Sequence, residues 1–196
     1  QLCAKDNMYA ANCTTPSNLF HILRRQMVTN FRKPLILFTP KSLLRHPEVV
    51  SNVDDLISGK FETVISDNDV NPKDVSSIVF CSGKFYYDLL KFRREKKIKN
   101  VALIRLEQLF PLPIQEIDSE LKKFSKATDF VWAQEEPRNM GAWGHFLMHY
   151  PHANKFRPAT RRPYGSTASG SHARFERRHN QVIEYVFDIT KNNSRK

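Results

Sequence analysis

The sequence has 196 residues, a net charge of +11 and 40% hydrophobic side chains, which is typical of a folded chain of one domain or slightly more. No stretch approaches the roughly 20 consecutive apolar residues of a membrane span, so none is predicted. Three scattered cysteines, Cys3, Cys13 and Cys81, are too few for a disulfide framework and favour a reducing compartment. The chain starts at Gln1 without a signal-like segment, so we expect it to be cut or processed from a longer protein.

The first predicted elements are a helix and a buried strand. Thr15 is a suitable N-cap, Pro16 occupies the first helical turn, and apolar residues then recur at helical spacing up to Met27. The uninterrupted apolar run at residues 35–38 is typical of a buried parallel strand. Residues 41–46 are predicted to form a loop beyond its carboxyl end, at the edge where open α/β sheets bind ligands.

Strand and helix patterns alternate in the second half of the sequence. Residues 51–75 lack a clear period, so we expect an ordered linker there. Strands are then predicted at 77–81, 101–106 and 129–133, with helices at 85–96, after Pro113, at 141–150 and at 174–189. Residues 154–172, rich in Pro, Gly, Ser and Arg, are predicted to be loop, and Glu135 and Glu136 are predicted to cap the third strand. This order predicts an α/β fold with a mostly parallel sheet covered by helices on both faces.

No complete catalytic constellation is present in the sequence. The run Ser82-Gly83-Lys84 follows a strand and opens a helix, so it is either an anion-binding turn or a glycine turn with an exposed lysine, and it is too short for a P-loop. His145 and His149 lie four residues apart on a predicted helix, but without a third ligand we expect no metal site. Cys81 is expected to be a buried small side chain rather than a nucleophile.

The positive charge is concentrated near the carboxyl terminus. Residues 155–196 carry ten basic and three acidic side chains, the last basic ones being Lys191, Arg195 and Lys196. No nucleic-acid-binding module accompanies this charge, so nucleic-acid binding is not expected. Small anionic ligands or acidic surfaces of partner proteins fit the charge better.

Several motifs in one order resemble a known family. They lie at residues 15–26, 33–47, 81–89 and 105–109, and they end with Trp132-Ala133-Gln134-Glu135-Glu136-Pro137, Asn139 and Gly141-Ala142-Trp143. Together they make the sequence similar to the carboxyl-terminal part of the decarboxylating component of 2-oxoglutarate dehydrogenase, a thiamine-diphosphate-dependent member of the transketolase-like superfamily. One departure is the stretch Ala159-Thr160-Arg161-Arg162-Pro163-Tyr164, followed by a Ser-rich loop, where many members carry a Tyr-Ala-Gly-Arg segment and then a Ser/Ala-rich loop. The role of residues 163–173 stays open.

The resemblance implies a domain order. Residues 1–50 would contain the last helix and strand of a pyrimidine-binding domain, residues 51–75 would be a linker, and residues 76–196 would form a transketolase-type carboxyl-terminal domain. Thiamine diphosphate and magnesium would be bound by parts of the full-length protein that this sequence lacks. We therefore expect no cofactor on this chain and no catalytic residue in it.

The resemblance also implies an allosteric site for AMP or acetyl-CoA at the junction of the two parts. The matching positions are Arg25, Lys33, Lys41, Ser42 and Arg45 on one side, and Ser82, Lys84, Arg105 and Gln108 on the other. Such a concentration of cations favours phosphate groups. Alternatively, the same residues hold the two parts together through ion pairs.

The implied activity is that of the full-length protein. It would decarboxylate 2-oxoglutarate oxidatively as a homodimer and pass the succinyl group to a lipoyl acyltransferase partner in the tricarboxylic acid cycle. A relative acting on 2-oxoadipate, a 2-oxoglutarate decarboxylase relative and a stand-alone nucleotide-binding regulatory module remain alternatives. The expected location is the cytoplasm of a bacterium or the mitochondrial matrix of a eukaryote.

Overall fold

The computed structural model describes residues 2–166 and 168–187. Short 3₁₀ helices lie at Lys41–Arg45, Pro72–Asp74 and Ala153–Lys155. The strands and α-helices follow in the order β1 Tyr9–Ala11, α1 Pro16–Val28, β2 Leu35–Leu37, α2 Val53–Ser58, β3 Val64–Ile65, β4 Ser77–Cys81, α3 Phe85–Glu95, β5 Val101–Leu106, β6 Gln108–Phe110, α4 Ile114–Lys123, β7 Asp129–Pro137, α5 Trp143–His149, β8 Phe156–Arg161 and α6 His172–Phe187.

The main sheet has five strands in the order β3-β5-β4-β7-β8. All neighbours in it are parallel except β3, which runs antiparallel to β5. Successive residues of β4 point to opposite faces, so Ile78 and Phe80 pack with α4 and α5, whereas Val79 and Cys81 pack with α3 and α6. The predicted α/β fold with a mostly parallel sheet covered on both faces is confirmed.

A smaller sheet joins the amino-terminal segment to the main sheet. Its order is β2-β1-β6, with β1 parallel to β2 and antiparallel to β6. The prediction of a buried strand at residues 35–38 is only partly right, because Ile36 is 45% exposed and Phe38 is 50% exposed. The reason is that β2 lies at the edge of the small sheet, so its apolar side chains have fewer neighbours than those of a central strand.

The residues predicted to be loop at 154–172 contain β8, so that prediction is wrong. Strand β8 pairs in parallel with β7, and Ala159 in it is fully buried. Its Pro158 has no N–H to donate, which an edge strand tolerates because one side of its backbone lacks a partner strand. Strand β7 also continues to Pro137, so Glu135 and Glu136 lie within the strand instead of capping it.

The remaining predictions concern helix α1, the segment expected to be a linker and the last helix. Helix α1 begins at Pro16 as predicted, and the Thr15 side chain accepts a hydrogen bond from the Asn18 backbone N–H. The segment expected to be a linker carries α2, β3 and a 3₁₀ helix. In α6 the apolar side chains Val182, Ile183 and Val186 are buried, while Ile189 of that predicted helix and the basic residues Lys191, Arg195 and Lys196 lie outside the described residues. Within the described part of the chain, no helix has the length and apolarity for a membrane span.

The Gln134 side chain in β7 organises the turn that leads to α5. Its Oε1 accepts hydrogen bonds from Trp132 Nε1 at 2.9 Å and from the Trp143 backbone N–H at 3.0 Å. Its Nε2 donates to the Met140 carbonyl at 2.7 Å. Gly141 follows with φ +67°, and a Cβ on it would lie 2.9 Å from Gln134 Nε2. The turn therefore requires glycine on two counts, backbone conformation and space.

Replacing Gly141 by alanine should lower the free energy of unfolding by about 1–3 kcal/mol, because alanine is strained at this positive φ. Gly144→Ala is the matched control, since Gly144 is the second residue of α5 and, apart from its chain neighbours and the helix's own backbone, no described atom lies within 4 Å of an added Cβ. The control should raise stability by at most about 0.5–1 kcal/mol. Urea unfolding of both variants measures the difference, and equal effects would contradict this description of the turn.

Candidate functional site

Glu107, directly after β5, anchors the amino-terminal segment on the main sheet. It is 0% exposed. Its carboxylate accepts hydrogen bonds from the Thr14 backbone N–H at 2.8 Å, from Thr14 Oγ1 at 2.6 Å and from Asn18 Nδ2 at 2.9 Å. Burial raises the pKa of Glu107, although these hydrogen bonds and Arg105 act in the opposite direction. Glu107 was not predicted as a functional residue from the sequence. The one sequence feature that points to it is the presence of an acidic residue between the apolar residues Leu106 and Leu109.

Thr14 is the centre of this junction. Arg105 donates from Nη1 to Thr14 Oγ1 at 3.0 Å, and its Cζ lies 4.5 Å from the centre of the Tyr86 ring. The Tyr87 hydroxyl donates to the Thr14 carbonyl at 2.7 Å. Burial raises the pKa of Tyr87 to about 12, so the hydroxyl stays a donor at neutral pH. Arg105 thus serves the junction, and its buried Nε has no partner among the described residues.

Arg25 and Gln108, predicted on opposite sides of the effector site, are in contact. Arg25 Nη2 donates to Gln108 Oε1 at 3.0 Å. The Arg25 guanidinium also lies 4.7 Å from the centre of the Tyr9 ring and 4.5 Å from that of Phe61. Burial lowers the pKa of Arg25, against the raising effects of Tyr9 and Cys13. These contacts fit the alternative in which Arg25 fastens α1 to the rest of the chain.

Ser82 and Lys84 belong to the turn between β4 and α3. Gly83 has φ +60°, and a Cβ there would collide with the amide of Asn12, so the turn lies against the end of β1. Ser82 is partly exposed. Lys84 is partly buried and forms ion pairs with Glu135 and with Asp88, the latter at 3.5 Å.

The Lys84 cluster consists of Lys84, Asp88, Glu135 and His179. His179 Nε2 lies 3.2 Å from Asp88 Oδ2. Burial would lower the pKa of Lys84, but the bond to Glu135 and the charges of Glu135 and Asp88 raise it overall. Burial likewise acts to raise the pKa of Asp88, and His179 and Lys84 outweigh it and lower that pKa. Lys84 is therefore neither an exposed lysine nor a cation free of partners.

The other predicted cations lie on the segment that follows β2. The 3₁₀ helix Lys41–Arg45 is held by the buried Leu43, whereas Lys41, Ser42 and Arg45 are exposed. Their side chains form no hydrogen bond or ion pair with the described residues. The Lys33 Nζ lies 5.2 Å from the centre of the Phe31 ring.

Backbone and ring contacts place this 3₁₀ helix beside the start of α3. The Phe38 backbone N–H donates to the Ala11 carbonyl at 2.9 Å, next to the Asn12 that contacts Gly83. The ring centres of His46 and Tyr87 are 4.7 Å apart. Across the described ranges, Arg25 to Gln108 is nevertheless the one side-chain hydrogen bond between two of the predicted effector residues.

Comparison with known proteins identifies the relatives of this chain. The family model described as 2-oxoglutarate dehydrogenase C-terminal matches residues 50–187. A 2-oxoglutarate dehydrogenase E1 component from Cupriavidus necator is 46% identical over 193 residues, which is 95% of this chain and 20% of the relative. The Haemophilus influenzae protein of the same name is 45% identical over 189 residues, 94% of this chain and 20% of the relative.

A 2-oxoadipate dehydrogenase complex component E1 from Xenopus laevis is 49% identical over 140 residues, 70% of this chain and 15% of the relative. The chain spans about a fifth of the length of the two bacterial relatives that it matches. The matched residues include the whole main sheet with its helices. The chain therefore belongs to the 2-oxoglutarate dehydrogenase E1 family and carries its carboxyl-terminal domain.

Proposed function

We propose that this chain is the carboxyl-terminal part of a thiamine-diphosphate-dependent enzyme that decarboxylates 2-oxoglutarate. In this proposal the full-length protein acts as a homodimer and passes the succinyl group to the lipoyl group of an acyltransferase partner. The observation that carries it is the pair of bacterial relatives named 2-oxoglutarate dehydrogenase E1 component, which match 95% and 94% of the chain.

A second substrate is supported by a specific observation. Relatives from Dictyostelium discoideum and Rattus norvegicus named for 2-oxoadipate dehydrogenase are 41% identical over 93% and 92% of this chain. The test is decarboxylation of both 2-oxo acids by the full-length protein. We expect a higher kcat/KM for 2-oxoglutarate, and a higher value for 2-oxoadipate would replace the first proposal with the second.

The side chains of this chain do not fit thiamine diphosphate with magnesium. Among the described residues, Asp88, Glu135 and His179 are the one group of acids and histidines close enough to hold an ion. The Lys84 ammonium already pairs with both carboxylates. Magnesium prefers open oxygen ligands in octahedral geometry. We therefore assign the cofactor to other parts of the full-length protein and expect no decarboxylation by residues 1–196 alone with cofactor and magnesium added.

For this part of the enzyme we propose a regulatory role, the binding of AMP or acetyl-CoA. The proposal is supported by Lys41, Ser42 and Arg45, whose exposed side chains have no partner among the described residues, beside the turn that holds Ser82. Lys33 would add a further cation. Four other predicted residues already form contacts within the chain, namely Arg25, Gln108, Arg105 and Lys84. Their role would be structural, to hold the 3₁₀ helix and the turn next to each other.

The Lys41→Ala/Arg45→Ala variant should bind AMP and acetyl-CoA about tenfold or more weakly than the unsubstituted protein, because two charge-assisted contacts to phosphate are lost. Isothermal titration calorimetry measures the affinity. Lys122→Ala/Lys126→Ala removes the same charge from two exposed positions, one in the last turn of α4 and one just after it, and should leave the affinity unchanged. Equal loss in both double variants would contradict a site at the 3₁₀ helix.

A further inference from the structure

A second basic site lies away from the predicted effector residues. A cavity of about 320 Å³ opens where β7 and β8 end, between Pro137, the segment after β8 and α6. Strands β7 and β8 are parallel, and Pro137 is in register with Arg161 at their carboxyl ends. In open α/β sheets this edge is the usual position of a ligand. The volume corresponds to the lower end of the range for small-molecule sites, roughly 300–1,000 Å³.

Among the residues that the structure describes, three arginines and no acidic side chain line this cavity. Arg161 is oriented by its Nε, which donates to the Glu135 carbonyl at 2.6 Å. The side chains of Arg162 and Arg178 form no hydrogen bond or ion pair within residues 2–166 and 168–187. Each guanidinium has five N–H donors in a planar fork that matches phosphate oxygens. The cavity thus presents two cations whose donors are available to a ligand.

The cavity wall is held in place without a ligand. Asn139 accepts a hydrogen bond from the Tyr164 backbone N–H at 3.0 Å and donates to the Tyr164 carbonyl at 3.1 Å. Arg178 Cζ lies 5.2 Å from the centre of the Tyr164 ring. Val182 of α6 is buried and lines the floor. Because these contacts already fix the backbone of the segment after β8, ligand binding loses little conformational entropy of the chain.

We propose that this cavity binds the phosphomonoester of a small organic molecule. Arg162 and Arg178 hold the phosphate, and the body of the molecule lies against Tyr164 and the neighbouring prolines. The dianionic charge of a phosphomonoester near pH 7 matches two guanidinium groups that form no ion pair with a carboxylate of residues 2–166 or 168–187. The site is independent of the proposed AMP or acetyl-CoA site, since none of its lining residues belongs to that site.

The test is titration of the purified protein with phenyl phosphate, followed through backbone amide shifts in ¹H–¹⁵N spectra. We expect saturable shifts at Tyr164, Arg178 and Val182, and none with phenol at the same concentration. Arg162→Ala/Arg178→Ala should weaken binding about tenfold or more. Arg174→Ala/Arg177→Ala is the matched control, because it removes the same charge from exposed positions on the same helix and should leave the affinity unchanged.

Three results with this cavity's own probes and variants would overturn the proposal, and a fourth comes from the effector-site variant described below. The first three are the absence of saturable shifts, an equal loss of affinity in both double variants, and binding of a phosphoserine peptide in place of phenyl phosphate, which would make the ligand a protein. The Lys41→Ala/Arg45→Ala variant separates this site from the proposed effector site. It should bind phenyl phosphate like the unsubstituted protein, and a loss there would place the phosphate at the 3₁₀ helix instead.

Discussion

Asp67→Ala should lower the free energy of unfolding by about 3–5 kcal/mol, because it removes the buried counter-charge of a buried arginine and leaves it only the exposed carboxylate of Asp69, at 3.3 Å. Asp67 and Arg93 form an ion pair in which both side chains are almost fully buried. Asp67 Oδ2 also accepts a hydrogen bond from the Leu103 backbone N–H at 2.7 Å, and Arg93 Nη1 donates to the Val101 carbonyl at 3.1 Å. The pair therefore ties the segment after β3 to α3 and β5, and its loss should lower the urea midpoint of the whole domain.

Glu48→Ala provides the matched control for Asp67→Ala. Glu48 pairs with Arg94, the residue next to Arg93, but the side chains of that pair are 45% and 54% exposed. An exposed pair contributes at most about 1 kcal/mol. If Asp67→Ala destabilised the protein no more than Glu48→Ala does, the buried pair would not make the large contribution to stability that we infer from its burial.

Glu107→Ala should cost about 2–4 kcal/mol, because the Thr14 N–H, the Thr14 hydroxyl and the Asn18 amide all lose their acceptor inside the protein. Besides lowering the stability of the whole domain, the substitution should loosen the segment between β1 and α1, because these hydrogen bonds hold that segment in place. Hydrogen exchange should accelerate at residues 12–18 more than in β4, which lies in the centre of the main sheet. Uniform acceleration would contradict the role of Glu107 as a local anchor.

Glu107 also predicts a pH dependence with a definite sign. Burial raises its pKa above 4.5, so the folded state binds the proton more tightly than the unfolded state. Its contribution is fully present below the unfolded pKa and is lost as the pH rises through the folded pKa. Relative to Glu107→Gln, which does not titrate, the unsubstituted protein should lose stability as the pH rises above about 4.5. A difference that stayed constant with pH would contradict the raised pKa.

The central strands of the fold were predictable from the sequence for a simple physical reason. Residues 78–81 and 101–104 are buried on both faces, so they form continuous apolar runs. Strand β8 was predicted to be loop because it contains arginine and proline. It lies at the sheet edge, where these residues are tolerated. Its pairing with β7 depends on contacts between residues distant in sequence, which local composition does not reveal.

The candidate site was predictable as a set of cations but not as a set of contacts. Lys84 and Lys41 look alike in the sequence, yet Lys84 is paired with Glu135, 51 positions away, while Lys41 is exposed. The Glu107 carboxylate meets Thr14 across 93 positions. Tertiary packing decides which charged side chains are neutralised by a partner. The sequence therefore identifies the candidate cations, and the structure shows which of them form contacts within the chain and which are available to a ligand.

We propose that the exposed cations of the 3₁₀ helix Lys41–Arg45, beside the turn between β4 and α3, form the effector site. The decisive experiment is a crystal structure of the protein with AMP. We predict the AMP phosphate within hydrogen-bond distance of Lys41 or Arg45, with the Glu107 junction unchanged. An AMP phosphate bound only by Arg162 and Arg178 in the other cavity, or no AMP at saturating concentration, would contradict it.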